Sequence, residues 1–245
     1  TYIVGYSNSG TFTVYHSNGS AFSNTMTNNA NFDAYIVKYN SFGNVQWLAS
    51  CSGLGDDRHI SVACDTKSNV YVAGYTDSST LTVFNADKTP FSPSFSRVGT
   101  LTNGYLINYS SNGSVQWVTR FGGTGIIRPQ DVTCDSSGNP YVTGLYTGSF
   151  SIYNSDGTIG KSLTSASGQD AFIVVFDPYG FVKWASQITG TGNDYGFSVS
   201  SAPDGMYIGG MYTSNPLVAY NSNNTTFSNT LTFDGVFDGF IVKYS

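Results

Sequence analysis

Four polar residues in two corresponding loops are the residues of this sequence best suited to chemistry. They are Asp56 and Asp57 in SGLGDDR (52–58), and Asn193 and Asp194 in TGTGNDY (189–195). Calcium takes six to eight oxygen ligands from carboxylates, amides and main-chain carbonyls, so these loops are candidate binding sites. The alternative is that the acids accept backbone N–H groups within tight turns.

The third copy of the loop argues against a metal. It reads GGTGIIR (122–128), where Ile126 and Ile127 supply no oxygen donor. The spacing of an EF-hand loop is also missing. We therefore predict no cofactor and no metal, and calcium stays the alternative.

Three phenylalanines form a second set of candidate binding residues. Phe22, Phe91 and Phe227 each follow an aromatic residue by seven positions in a repeated segment, and Gly160 stands at this position in the third copy. Aromatic ring faces stack on sugars, which favours glycan binding, but packing between repeats would also place a ring at one recurring position. The sequence leaves both interpretations open.

Nucleophilic and imidazole chemistry have little support in the sequence. No GxSxG is present, and the two histidines, His16 and His59, do not recur between repeats. Cys64 and Cys134 occupy equivalent positions in VACD and VTCD, where a third copy has Ser201. We predict them to be small buried residues on neighbouring strands, reduced and without a mutual disulfide, because adjacent repeats are expected to hold them too far apart.

These residues are positioned by a repeat. The stretch DAYIVKYNSFGNVQW (33–47) returns at 103–117 and 170–184, and its first half returns at 238–245, so the period is about 68 residues. The repeat divides the chain into units of about 1–50, 51–119, 120–187 and 188–245 within one domain, 1–245, which we interpret as part of a longer chain.

Every element of the repeat reads as β-strand or turn. A glycine loop precedes a strand such as HISVACD, and a turn then leads to YVAG, YVTG or YIGG; an accessory hairpin and the opening stretch follow. Each complete unit has one tryptophan, Trp47, Trp117 or Trp184, which we interpret as an outer-strand anchor. Four short strands per unit predict an all-β propeller of four-stranded antiparallel blades, four in this chain, each with an accessory β-hairpin.

The motifs DAYIVKYNSFGNVQW, GLGDD and SVACDTKSNVYVAGYT resemble the SBBP repeat, a β-propeller repeat of secreted and surface proteins of bacteria and of some large-virus proteins. The resemblance covers essentially the whole chain and implies the propeller fold. It carries no catalytic residues. This sequence departs from the pattern where Asn103 replaces the leading Asp and where Ile127 and Arg128 replace the acidic end of the loop.

Composition narrows the range of partners. Only 10% of residues are charged, the net charge is −5, and no run approaches the 18 apolar residues of a membrane span. Without a basic stripe we predict no nucleic-acid partner, and we predict no membrane insertion. A neutral, hydrogen-bonding surface suits contact with proteins or glycans.

We therefore predict a non-enzymatic interaction or structural module of an extracellular, cell-surface or virion-surface protein. The alternative is a carbohydrate-active hydrolase or lyase, or a calcium-dependent enzyme, with carboxylates at the propeller mouth. The first and last blades are expected to be incomplete, because the chain begins with a second strand, TYIVGYS, and stops after a third, DGFIVKYS. Unpaired edges recruit strands, so self-association or completion by further chain is expected.

Overall fold

The computed structural model describes residues 1–28 and 31–245, and within these ranges the chain contains β-strands and no helix. The prediction of an all-β chain is confirmed. Within the same ranges no helix is long and apolar enough to cross a membrane. All strand pairs are antiparallel, and the strands are arranged in four larger sheets and one small one.

Each larger sheet has a defined order of strands from one edge to the other. In this order the first sheet contains β1 (Tyr2–Ser7), β4 (Asp33–Tyr39), β5 (Val45–Ser52), β8 (Thr80–Val83) and β9 (Phe95–Ser96). The second contains β15 (Ile159–Thr164), β14 (Ser149–Tyr153), β11 (Val115–Gly123), β10 (Asn103–Tyr109), β7 (Val70–Thr76) and β6 (Asp57–Cys64). The third contains β12 (Ile127–Cys134), β13 (Pro140–Tyr146), β16 (Asp170–Phe176), β17 (Val182–Thr189) and β20 (Val218–Ala219). The fourth contains β18 (Asp194–Ala202), β19 (Gly205–Tyr212) and β21 (Asp238–Tyr244), and a separate pair is formed by β2 (Thr11–Phe12) and β3 (Met26–Thr27).

The accessory strands join a sheet that the sequence did not predict. β8 follows β7 in the chain but pairs with β5 of the preceding repeat, where Cys51 faces Val83. β14 likewise pairs with β11, and β20 pairs with β17. Each of these accessory segments therefore extends the sheet of the repeat before it, which is why the first three sheets have five, six and five strands.

The strands β6, β12 and β18 lie side by side across three successive sheets, with β12 in the middle. Each has a β-bulge at the same repeat position, between His59 and Ser61, between Pro129 and Asp131, and between Gly196 and Ser198. A bulge adds a residue to one strand and increases its twist. Its recurrence re-aims the side chains of these three strands in the same way.

The hydrophobic core lies between successive sheets. β10 and β16 bury all seven of their residues because each has strands on both sides and a neighbouring sheet on each face. Tyr71 of the second sheet and Phe172 of the third belong to one buried cluster that also contains Trp117. Packing between sheets thus uses the aromatic residues that recur in the repeat.

Two predictions about side-chain burial need correction or refinement. Cys64 is exposed and Cys134 is half-buried, not buried as predicted, because each residue ends its strand next to a solvent-facing turn. Trp47 and Trp117 are buried on β5 and β11, whereas Trp184 on β17 is half-buried. All three cysteines are free thiols.

Candidate functional site

Asp57 and Asp194 lie at the starts of β6 and β18 and are fully buried. Thr76 Oγ1 donates to Asp57 Oδ1, and Ser78 Oγ donates to Asp57 Oδ2 at 3.1 Å. Ser214 Oγ donates to Asp194 Oδ2 at 2.6 Å. Both carboxyls are therefore used inside the protein as acceptors between a strand and the loop beside it.

Burial is the largest cause of the shifted pKa of both acids. It raises the pKa of Asp57 to about 7 and that of Asp194 to about 6, although the hydroxyl hydrogen bonds act in the opposite direction. Removing a carboxylate from water disfavours its charged form. Neither acid presents a free carboxylate to solvent, in contrast to a surface binding loop.

The neighbouring candidates, Asp56 and Asn193, have partners other than these buried acids. Asp56 forms a salt bridge with Arg58 at 2.9 Å. Asn193 Oδ1 accepts a hydrogen bond from the backbone N–H of Gln169 at 3.1 Å. In residues 1–28 and 31–245, no group of three His, Cys, Asp or Glu side chains could hold a metal. The calcium alternative stays a prediction.

Two further acids, Asp33 and Asp170, were not among the candidates from the sequence. Both are fully buried, at the starts of β4 and β16. The backbone N–H of Asp57 donates to Phe32 O at 2.7 Å, and that of Asp194 donates to Gln169 O at 2.6 Å, which brings each pair of acids together. The charge of Asp33 raises the pKa of Asp57, and that of Asp170 raises the pKa of Asp194.

The acids lie at the junctions between successive repeats, where the glycine loop lies. The second of the three junctions shows that the acids occur as pairs. Asn103 and Ile127 stand where the other two junctions have an Asp pair, and Gly148 stands where they have Ser78 or Ser214. The amide of Asn103 hydrogen-bonds both the N–H and the C=O of Val98. The leading Asp of DAYIVKY and DAFIVVF was the sequence signal that could have revealed the pairs.

The loop glycines allow the serines that bind the buried acids to come close to the loop backbone. A Cβ on Gly53 would lie 2.2 Å from Ser78 Oγ, and one on Gly190 would lie 2.2 Å from the Ser214 Cβ. These distances are far below van der Waals contact. The segments that contain Ser78 and Ser214 therefore leave no room for a side chain at Gly53 and Gly190. The sequence predicted only that side chains would hinder the backbone of these loops.

A buried cysteine and histidine also meet in the first junction. Cys51 Sγ lies 3.3 Å from His59 Nε2, and His59 Nδ1 lies 3.0 Å from Tyr35 O. A carbonyl only accepts, so Nδ1 carries the proton and Nε2 accepts from the thiol. Burial lowers the pKa of His59 to about 4 and raises that of Cys51 well above its usual value. The pair is neutral thiol and imidazole, whereas a nucleophile requires thiolate.

Asp131 connects the three adjacent strands β6, β12 and β18. Its Oδ1 accepts from Ser61 Oγ at 2.7 Å, and its Oδ2 accepts from Val199 N at 2.9 Å and Ser198 Oγ at 3.1 Å. The backbone N–H of Val132 donates to Oδ1 as well. The carboxylate is engaged by donors on every side, so its geometry is that of a structural link.

The predicted glycan residues Phe22, Phe91 and Phe227 are half-buried and pack against separate hydrophobic clusters. The ring of Phe227 lies 5.6 Å from that of Tyr244 in an edge contact. The three rings are not brought together into one surface. Their repeated position is therefore one of packing beside the sheets, and each ring stays partly exposed.

Two grooves lie beside β5 and β11, between accessory segments of successive repeats. The groove beside β5 has a volume of about 190 Å³ and is lined by Asn24, Leu48 and Phe84 among others. The groove at the equivalent place beside β11 has a volume of about 750 Å³ and is lined by Pro93, Val118 and Tyr153 among others. The larger one falls within the size range of ligand pockets.

Residues 116–150, which run from β11 into β14, match the family model described as a β-propeller repeat, SBBP. This segment is similar to an SBBP repeat. The resemblance inferred from the sequence is confirmed over this segment, which includes Trp117, the glycine loop, β12 and β13.

A curated relative of this chain is an uncharacterized WD repeat-containing protein of Acanthamoeba polyphaga mimivirus. The two sequences are 30% identical over 77% of this chain. The aligned region spans only 14% of the length of the relative. The match therefore concerns a small part of a much longer protein.

Proposed function

We propose that this chain is a non-enzymatic β-propeller module that binds partner macromolecules through the outer surfaces between its repeats. The observation that carries the proposal is the groove that occurs beside both β5 and β11. Each groove is built from accessory segments of two successive repeats. Such a surface offers more than one contact site along successive repeats, which suits multivalent binding.

The arrangement proposed is four consecutive blades around a central axis, with the first and last blades incomplete. It is supported by the adjacent strands β6, β12 and β18, which would line the axis, and by the hydrogen bonds of Asp131 that link them. In the described ranges β1 and β21 each pair on one side only. Strand addition at these edges is the proposed route of self-association.

Protein partners are favoured over other classes. The name of the mimivirus relative assigns it WD repeats, and the SBBP match assigns the same general architecture to this chain. Glycan binding remains part of the proposal because Phe91 and Tyr179 expose ring surface beside a groove. An extracellular, cell-surface or virion-surface location is proposed, and a viral relative is in keeping with the last of these.

The experiment that tests this function compares binding with turnover. The chain is incubated with a polysaccharide panel in Ca²⁺ and in EDTA, and reducing ends and unsaturated products are measured alongside thermal stability. We expect no turnover, and an increase in melting temperature only with ligands that bind. Product formation that requires a carboxylate such as Asp131 would overturn the proposal in favour of the carbohydrate-active enzyme.

A further inference from the structure

Among the residues that differ between the groove beside β11 and its counterpart beside β5, one removes a side chain that spans the groove. Residues 22–24 are Phe, Ser and Asn, and the aligned residues 91–93 are Phe, Ser and Pro. Asn24 Nδ2 lies 3.2 Å from Ala86 O and 3.5 Å from Leu48 O, so one amide spans the groove beside β5.

Pro93 cannot make this contact because its side chain has no donor. The carbonyl groups equivalent to those of Leu48 and Ala86 belong to Val118 and Ser155, and both residues line the larger groove. The volume is about 750 Å³ beside β11 against about 190 Å³ beside β5. The groove beside β11 is therefore open at the place that the Asn24 side-chain amide fills in the groove beside β5.

The floor of the open groove is the edge of a strand. β11 runs from Val115 to Gly123, but β14 pairs only with residues Phe121–Gly123. Among the described residues no strand pairs with the outer edge of β11 over Gln116–Val118. An unpaired strand edge is a template on which an extended peptide can add by main-chain hydrogen bonds.

The walls provide side-chain contacts of low net charge. The Arg120 guanidinium lies over the Tyr153 ring at 4.4 Å, and Arg120 Nη1 donates to Ser96 O at 3.0 Å, which holds both side chains in place. Tyr179 is 73% exposed at the other end of the groove. Among the described lining residues Arg120 is the one cation and Asp156 the one anion, and this balance favours an uncharged ligand.

We propose that this groove binds an extended, uncharged polypeptide segment, whose strand adds to the edge of β11 and whose amide takes the place that Asn24 has in the first repeat. The proposal rests on the proposed interaction function and names its partner class. Aromatic walls supply the anchor contacts, and the strand edge fixes the register of the peptide.

The test selects binders from a display library of random linear peptides with the chain 1–245 as bait, and then measures their affinities. Pro93→Asn introduces the side-chain amide that Asn24 supplies in the first repeat and is designed to close the groove. Tyr179→Ala removes an exposed ring from its lining. We expect each change to weaken binding at least about tenfold. Phe42→Ala is the matched control because Phe42 has the position of Tyr179 in the first repeat, is 79% exposed and does not line this groove. Binding to this variant is expected to stay unchanged.

Hydrogen exchange provides a second measurement. Bound peptide should slow exchange of amides within Gln116–Arg120 and leave Gln46–Ser50 unaffected. Failure to select any peptide, or peptides equally tight to all three variants, would overturn the groove proposal. If N-acetylated saccharides bind there and peptides do not, the partner class is wrong although the interaction function stands. If neither peptides, proteins nor saccharides bind the chain anywhere, both proposals fail.

Discussion

The indole Nε1 of Trp117 donates a hydrogen bond to the carbonyl oxygen of Pro178, 61 residues later in the chain, at 2.9 Å. Trp47 makes the equivalent bond to Ser111 O at 3.1 Å. Each of these two tryptophans thereby connects its strand, β5 or β11, to a turn of the following repeat. The turn comes close because Gly180 packs against the Trp117 ring, where a Cβ would lie 2.9 Å from Cδ2.

Replacing Trp117 with alanine should destabilise the protein by roughly 3–5 kcal/mol, since it removes a buried indole and leaves a cavity. Denaturant unfolding followed by tyrosine fluorescence or circular dichroism measures the loss. Phe42→Ala, at a position 79% exposed, is the control and should change stability by less than about 0.5 kcal/mol. A Trp117→Ala variant that unfolds like the wild type but has lost a partner would show that the indole is a ligand contact.

The buried carboxyl of Asp194 should make stability depend on pH in a defined direction. Its pKa is raised to about 6 in the folded state, chiefly by burial, against about 3.9 in an unfolded chain. The protonated form is favoured by folding, so the stabilisation is complete below about pH 4 and is lost as the pH rises to about 6. Asp194→Asn removes this titration while keeping an oxygen that can accept from Ser214.

The measurement is the difference in free energy of unfolding between wild type and Asp194→Asn from pH 4 to pH 7. The wild type should lose stability relative to the variant as the pH rises. Taking the difference matters because His59, with its pKa lowered to about 4, acts in the opposite direction over the same range. Parallel pH curves for the two proteins would contradict the raised pKa.

The three thiols should react in order of their exposure. Cys64 is exposed, Cys134 is half-buried and Cys51 is fully buried beside His59. With iodoacetamide at pH 8, Cys64 should be alkylated first, and Cys51 should react only when the protein unfolds. Peptide mass spectrometry identifies the labelled sites, with a guanidinium-unfolded sample as the control. Early labelling of Cys51, or a Cys64–Cys134 crosslinked peptide, would refute this assignment.

Removing the Asp131 carboxylate should loosen the three strands that it connects. Asp131→Ala leaves the hydroxyls of Ser61 and Ser198 and the backbone N–H of Val199 without the acceptor that Asp131 provides, at a cost of about 1–3 kcal/mol. Asp131→Asn keeps one acceptor oxygen and should cost less. Thermal unfolding of the two variants provides the comparison, and equal melting temperatures to wild type would remove Asp131 from its linking role.

Local order was determined by the sequence alone. Strands and turns could be read from the recurrence of DAYIVKYNSFGNVQW and YVAG because alternation and turn residues act over a few neighbours in the chain. The turns at Gly43, Gly113 and Gly180, all at positive φ, follow from residue type in the same way. The SBBP resemblance rested on these local motifs, and the match over 116–150 confirms it.

Only the tertiary structure decided which strands become neighbours. The accessory strand β14 could have paired within its own repeat, but it pairs with β11 of the preceding one. The same holds for the approach of Asp194 to Asp170 and for the burial of both acids. Period and alternation set which face a side chain takes, whereas the partner on that face is chosen by packing between residues tens of positions apart. For that reason Asp57 and Asp194, which look like loop ligands in the sequence, are internal acceptors in the fold.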